Sequence, residues 1–346
     1  MRAITEAPMA VIRELNLGSW SMPAKALAVI VVVLLSATLA VSPDLFIQNL
    51  IGGVAYGMVL AIIALGLALI LGLLGVVNFA HGGLFMLGAY GAYEVVALQG
   101  FSFWMALLVV PVAVGALGVT MEVTILRRLY GGTPIIGLLA TFGVFVMIEE
   151  ATRAKWGGTP LTFEIPASLQ GSVPIGVGQI ATIRLATVFV ATLVIVGTYL
   201  LMYRTDFGLT IRAGLQDREM AEFIGIDIPT RFTVVFFLGS AIAGLAGVLR
   251  GAETGMDLSM GFEFVLLAFV IVIVGGVGSI FGSVVSGLLI GISVFVAPVA
   301  VRSLATVTGV DALDVAGIGG VVPYIVMLVV LLIRPRGLFG EEGLLE

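Results

Sequence analysis

The chain of 346 residues has no cysteine, one histidine and very little charge. Without cysteine it has no disulfide framework, no thiolate metal site and no thiol nucleophile. A single histidine excludes any multi-histidine metal centre. Charged residues make up only 11% of the chain, against about 25% in a typical soluble domain. Both lysines, Lys25 and Lys155, lie between an alanine and an apolar residue, so neither fits the Gly-x-x-x-x-Gly-Lys-[Ser/Thr] phosphate loop. Any ATP-driven work must therefore come from another chain. The net charge of −5 offers no basic patch for nucleic acid. No cofactor motif is present.

What is abundant is apolar. Hydrophobic residues reach 60% and the mean hydropathy is +1.22. They fall in continuous runs near the length that crosses a ~30 Å hydrocarbon core. The runs do not alternate, which excludes a β-barrel. The fold class is all-α: a polytopic transmembrane helical bundle. Ten spans are expected, near 26–42, 47–71, 82–98, 103–125, 134–151, 181–202, 231–250, 263–281, 283–301 and 321–333. The eighth either runs through Gly275-Gly276 or breaks there. Glycine numbers 46, about twice its usual share, which favours close helix packing.

The Lys/Arg bias orients the bundle. Placing Arg127, Arg128, Arg204, Arg212, Arg218, Arg231, Arg334 and Arg336 in the cytoplasm, with Arg2, Arg13 and Lys25, leaves Arg153, Lys155, Arg184, Arg250 and Arg302 at the outer face. Both termini are then cytoplasmic. Residues 1–25 read as a cytoplasmic segment, either an interfacial helix or disordered. Residues 26–340 read as one transmembrane domain, and 341–346 as a tail. Residues 155–180 read as an ordered outer loop, and the first span as uncleaved.

Three stretches carry the functional candidates. In 206–229, Asp217 caps a short amphipathic helix that ends at Gly225. Met220, Ala221 and Ile224 share a face, with Phe223 beside it. The mixed charges of Arg212, Asp217, Glu219 and Glu222 favour a protein partner over lipid. In 71–83, Asn78, His81 and Gly82 interrupt an apolar run. They read either as a cap and tight turn or as a gating turn at a transport path. In 275–282, Gly275, Gly276, Gly278 and Ser279 read as close helix packing or as a flexible break. Gly247 and Gly251 share that packing spacing. Glu122 has Arg127 or Arg128 as a partner. Glu253, Asp257 and Glu263 at the outer face are solvated, bind a solute ammonium or dock a partner.

Segments 61–90, 133–150, 207–226, 241–251, 272–291 and 334–340 resemble the LivH-type permeases of branched-chain amino-acid ABC importers. NFAHG (78–82) and the RA-x-x-QD-x-x-x-A-x-x-x-GI pattern (212–226) are the most specific. Related urea and short-amide importers use similar permeases. The resemblance implies two inverted four-helix repeats. It also implies a second permease, usually a paralogue, two cytoplasmic ABC ATPases docking around 208–228, and an outer solute-binding protein. The competing expectation is a stand-alone channel or secondary transporter.

Overall fold

The computed structural model describes residues 41–129, 133–175, 178–310 and 317–340, with positions 34, 36, 38 and 39 before them. Most of the first expected span (26–42), residues 1–25 and the C-terminal tail 341–346 lie outside the described residues. Eleven α-helices are present among those described. They are α1 Pro43–Leu74, α2 Ala80–Tyr93, α3 Phe103–Thr124, α4 Pro134–Trp156, α5 Thr182–Arg204, α6 Asp206–Gln216, α7 Arg218–Phe223, α8 Ile228–Thr254, α9 Met260–Gly275, α10 Ile280–Thr308 and α11 Ile318–Ile333. Six of them (α1, α3, α4, α5, α8 and α10) are long and apolar enough to cross a membrane, and α9 and α11 are shorter apolar helices. A five-residue π-helical turn, Glu94–Leu98, extends α2.

Each span expected between 47 and 333 is one of these helices. The eighth breaks. Gly276 takes φ +98° and Gly278 φ +82°, a region that glycine enters without a Cβ clash. Ser279 then starts α10, its hydroxyl accepting from the Gly282 N–H at 3.0 Å. The outer loop is more structured than expected. Ser172–Ile175 (β1) pairs antiparallel with Gly178–Ala181 (β2), Ser172 opposite Ala181. Leu161 and Met256 also exchange two backbone hydrogen bonds of 2.9 Å. The loop is thus strapped to the far end of α8. We call this the hairpin end; the opposite end, with α6, α7 and residues 334–340, is the tail end.

Burial is inverted relative to a soluble protein. Leu108, Met147, Phe189 and Leu332 face outward, each more than 60% exposed. Contiguous apolar surface of this kind needs a cover, and for runs of this length the cover is lipid. The centre is α1, whose middle from Val59 to Leu67 is almost wholly buried.

The packing contains an approximate two-fold exchange. Swap α1 with α8, α2 with α9, α3 with α10 and α4 with α11. The pair α1–α10 becomes α8–α3, α2–α8 becomes α9–α1, α9–α10 becomes α2–α3, and α2–α4 becomes α9–α11. All of these pairs are in contact. The chain direction alternates from one spanning helix to the next, so the two four-helix units are inverted. Two glycine pairs lie where a unit meets its own mate. A Cβ on Gly66 would sit 2.7 Å from the Gly239 carbonyl oxygen, and one on Gly239 would sit 2.8 Å from that of Gly66. A Cβ on Gly82 would collide with the Gly261 carbonyl, and one on Gly261 would lie 3.2 Å from the Gly82 oxygen. Backbones this close admit only glycine, as small-residue packing in membranes demands.

Candidate functional site

The two interruptions expected from the sequence flank α1. After Leu74 the helix stops at Gly75, φ +64°, and the chain turns through Val76–Phe79 before α2. This turn is set inside the bundle. The Phe79 N–H donates to Thr141 Oγ1 on α4 at 3.2 Å, and that hydroxyl lies 3.1 Å from the Val77 carbonyl. The Phe79 ring packs on Phe269 of α9 at 5.1 Å. Thr141 was not singled out from the sequence. A lone threonine in an apolar helix carries no signal until its neighbour is known.

Asn78 and His81 are fully buried. His81 Nε2 lies 3.0 Å from the Ile63 carbonyl oxygen on α1. A carbonyl only accepts, so Nε2 carries the proton and donates. Nδ1 of His81 and both amide atoms of Asn78 have no hydrogen-bond partner among the described residues. A buried polar group without a partner costs about 1–3 kcal/mol, so the turn holds unused hydrogen-bonding capacity in an apolar setting. His81 thus serves a backbone carbonyl, as the cap reading has it, whereas Asn78 makes no cap at the start of α2.

The second interruption meets α1 nearer its tail end. A Cβ on Gly72 would sit 2.6 Å from the Gly278 Cα. Gly66, beside His81, is six residues earlier, about 9 Å along the axis at 1.5 Å per residue. The structure thus places His81 against one stretch of α1 and Gly278 against the next, while Gly82 packs on α9, Gly275 on Gly282, and Gly276 on Phe339 and Gly340. No contact joins the two groups directly in the hydrogen bonds or glycine approaches described. The returning chain closes over the break. Leu338 and Phe339 donate backbone hydrogen bonds to the Val274 and Gly275 carbonyls at 2.8 and 3.0 Å. Gly282 approaches Gly275, Gly287 and Gly291 approach Ala61 and Gly57, and Gly247 approaches Phe85. These glycines serve close packing.

At the tail end, Asp217 caps α7, its Oδ1 accepting from the Met220 N–H at 2.9 Å. Gly225 ends it with φ +89°. Ala221 is buried, while Met220, Phe223 and Ile224 are 56, 87 and 67% exposed. Glu219 and Glu222 are also on the surface. Two large apolar side chains therefore stand out from a helix of only six residues, and a third from the residue that caps its end. Arg212 turns the other way. Its guanidinium donates to the Met202 carbonyl of α5 and lies over the Tyr203 ring at 5.2 Å. It holds α6 to α5. Asp227 caps α8, accepting from the Thr230 N–H at 3.2 Å and from the Thr230 hydroxyl. These hydrogen bonds hold the Asp227 carboxyl below its usual range, the hydroxyl contributing most.

Glu122 is fully buried and takes both Arg127 donors, Nε at 3.1 Å and Nη2 at 2.9 Å. Thr233 on α8 donates to the same carboxylate at 3.0 Å. At the hairpin end, Glu94 accepts from Trp156 Nε1 at 2.9 Å and pairs with Lys155 at 3.1 Å.

A family model described as branched-chain amino acid transport system / permease component matches residues 49–331. The high-affinity branched-chain amino acid transport system permease protein BraD of Pseudomonas aeruginosa is 30% identical over 313 residues, covering 86% of this chain and 96% of BraD. LivH of Escherichia coli K12, with the same descriptive name, is 27% identical over 316 residues, covering 86% of this chain and 96% of its own. LivM of Escherichia coli K12 is 26% identical over 260 residues, covering 68% of this chain and 60% of LivM. No solved structure matches the chain.

Proposed function

Because the chain belongs to the permease-component family of branched-chain amino acid transport systems, we propose that it forms one wall of the translocation path of an ATP-driven importer. It pairs with a second permease; that LivH-named and LivM-named relatives both match it supports a paralogue in this role. Two cytoplasmic ATPase chains supply the hydrolysis, since this chain has no phosphate loop of its own. A soluble binding protein delivers the solute to the hairpin end, which is the outer face. Both termini lie in the cytoplasm of a prokaryotic cell whose inner membrane holds the bundle. Branched-chain amino acids are the solute class; the printed names of the relatives support them over urea or short amides.

In this reading α7 is the docking element. The observation that carries it is the exposed Met220, Phe223 and Ile224 set between Glu219 and Glu222. A surface helix that only lay on anionic lipid would be basic. ATP binding draws the ATPases together, α7 moves with them, and the bundle alternates between outward- and inward-facing states. Solute passes near Asn78, His81, Gly82 and the break at Gly275, Gly276, Gly278 and Ser279. The unpartnered amide of Asn78 supports a polar lining there. Gly225 gives α7 a sharp stop, and Arg212 anchors the segment behind it.

The test is Glu219→Arg combined with Glu222→Arg. The variant should insert normally while ATPase chains no longer co-purify and solute uptake is lost. Unchanged uptake and unchanged stimulation of ATP hydrolysis by the binding protein refute the docking role.

A further inference from the structure

At the hairpin end of α8, Arg250 and Glu253 form an arrangement that the path described above does not use. Glu253 is 6% exposed and its Oε1 accepts from Arg184 Nε of α5 at 2.6 Å. Its second oxygen, Oε2, is buried and has no hydrogen bond among the described residues. Arg250 Nη1 approaches that oxygen only to 3.6 Å, longer than a hydrogen bond. The Arg250 side chain is 22% exposed, and its guanidinium lies over the rings of Tyr56 and Phe264 at 5.2 and 5.5 Å. Its N–H groups make no hydrogen bond among the described residues. A mostly buried guanidinium with its donors unused therefore stands next to a buried carboxylate oxygen with no donor. Arg250 lies against α1 and α9, and Glu253, tied to Arg184 of α5, brings its second oxygen to 3.6 Å from it.

An acceptor-only oxygen beside a donor-only fork is the complement of an α-amino acid. Its carboxylate and ammonium sit on one carbon, as close together as these two groups are. We propose that Arg250 and Glu253 bind the zwitterion of the solute: Arg250 takes the carboxylate through its fork and Glu253 Oε2 takes the ammonium. Arg184 is a positioning residue that holds Oε1 and aims Oε2. Tyr56, Phe264 and Phe295, whose ring lies 5.7 Å from that of Tyr56, form the apolar wall for an aliphatic side chain. In the present conformation the pair is closed on itself. The strap at Leu161–Met256, three residues past Glu253, must shift to admit solute. The assignment rests on the amino-acid-importer reading and gives its path a first recognition point at the outer end.

The test uses the complete transporter in proteoliposomes, L-leucine as solute, and the variants Arg250→Gln, Arg250→Lys and Glu253→Gln. Losing one charge-assisted partner of the zwitterion is worth roughly tenfold or more in affinity. Leucine taken up per ATP hydrolysed should fall at least about tenfold in both glutamine variants, while binding-protein-stimulated hydrolysis persists. Arg250→Lys should be intermediate. Equilibrium dialysis of the wild-type complex without binding protein should show leucine binding. Unlabelled leucine should compete; leucinamide, which lacks the carboxylate, and 2-hydroxy-4-methylpentanoate, which lacks the ammonium, should not. The proposal is overturned if Arg250→Gln keeps wild-type uptake per ATP, if leucinamide competes as well as leucine, or if the glutamine variants lose assembly and hydrolysis together, as a purely structural ion pair would. A wild-type complex that hydrolyses ATP but takes up no branched-chain amino acid refutes the importer reading instead.

Discussion

Replacing Arg127 with alanine strips Glu122 of two charge-assisted hydrogen bonds at 3.1 and 2.9 Å. The carboxylate is fully buried, so water does not replace them without a rearrangement of α3 against α8. Breaking a buried pair from one side costs about 3–5 kcal/mol. Arg127 is 39% exposed, and Glu122 keeps the Thr233 hydroxyl. Solvent screening lowers the figure to about 2–3 kcal/mol. That is a factor of roughly 30 to 150 in the folded ratio. Glu122→Gln should cost only about 1 kcal/mol, because the guanidinium it releases reaches solvent. The double variant should match Glu122→Gln alone, since no charge is then stranded. Detergent-titrated unfolding of the four proteins, followed by circular dichroism, completes the double-mutant cycle. Equal losses for the two single variants, or additivity in the double, would show that the buried charge is not what Arg127 satisfies.

Gly82→Ala should destabilise by about 1–3 kcal/mol, the cost of forcing apart two backbones, because the new methyl collides with the Gly261 carbonyl. Gly143→Ala on α4, where a Cβ meets nothing within 4 Å, is the matched control and should be neutral or slightly stabilising in the same assay. Asp227 supplies a pH dependence of known sign. Its folded carboxyl is held below the ordinary aspartate range, so its contribution to the start of α8 is complete above the unfolded value of about 3.9 and is lost as pH falls through the depressed folded one. The protection of the Thr230 amide relative to its intrinsic exchange rate should therefore fall below about pH 4, and Asp227→Asn should abolish that step.

Apolar periodicity and run length made the bundle legible, because a lipid-facing helix announces itself by what it lacks. The turn at Gly75–Phe79 and the break at Gly276–Ser279 were equally visible, since glycine clusters interrupt otherwise uniform stretches. Asp217 as a cap and Gly225 as a stop rest on local chemistry that sequence spacing carries. Helix α6 was missed. Gly208 and Gly214 weaken its signal. It forms because Gly208 packs against the Met202 carbonyl and Arg212 donates to the same group. The β-hairpin was also missed, its short strands lying in a stretch that reads as loop. Arg184, Arg250 and Glu253 stand on two helices, and only their approach in space makes them a group.

The inverted symmetry is the clearest case of information absent from the residues themselves. No repeat is visible between residues 43–156 and 228–333, yet most of the helix pairings exchange, the contact of α10 with α11 being the exception without a counterpart between α3 and α4. Packing of this kind is set by where small residues allow contact and not by which residues recur. Gly66 with Gly239 and Gly82 with Gly261 fix the two crossings, and the remaining contacts follow from helix length and order. The crossings make α1, α2, α8 and α9 a hub whose backbones touch, so relative movement inside it costs packing directly. The turn at 75–79 and the break at 276–279 lie beside that hub, where the chain has left helical pairing. Helix α7 joins α8 through the cap at Asp227 and the buried Ile228. Under the docking role proposed for α7, a displacement there would be delivered to a rigid member of the hub, and compliance would be left to the two interruptions. Transmission needs an element with two arrangements, and the polar groups of Asn78 left without partners mark the first interruption as the one whose present arrangement does not satisfy it.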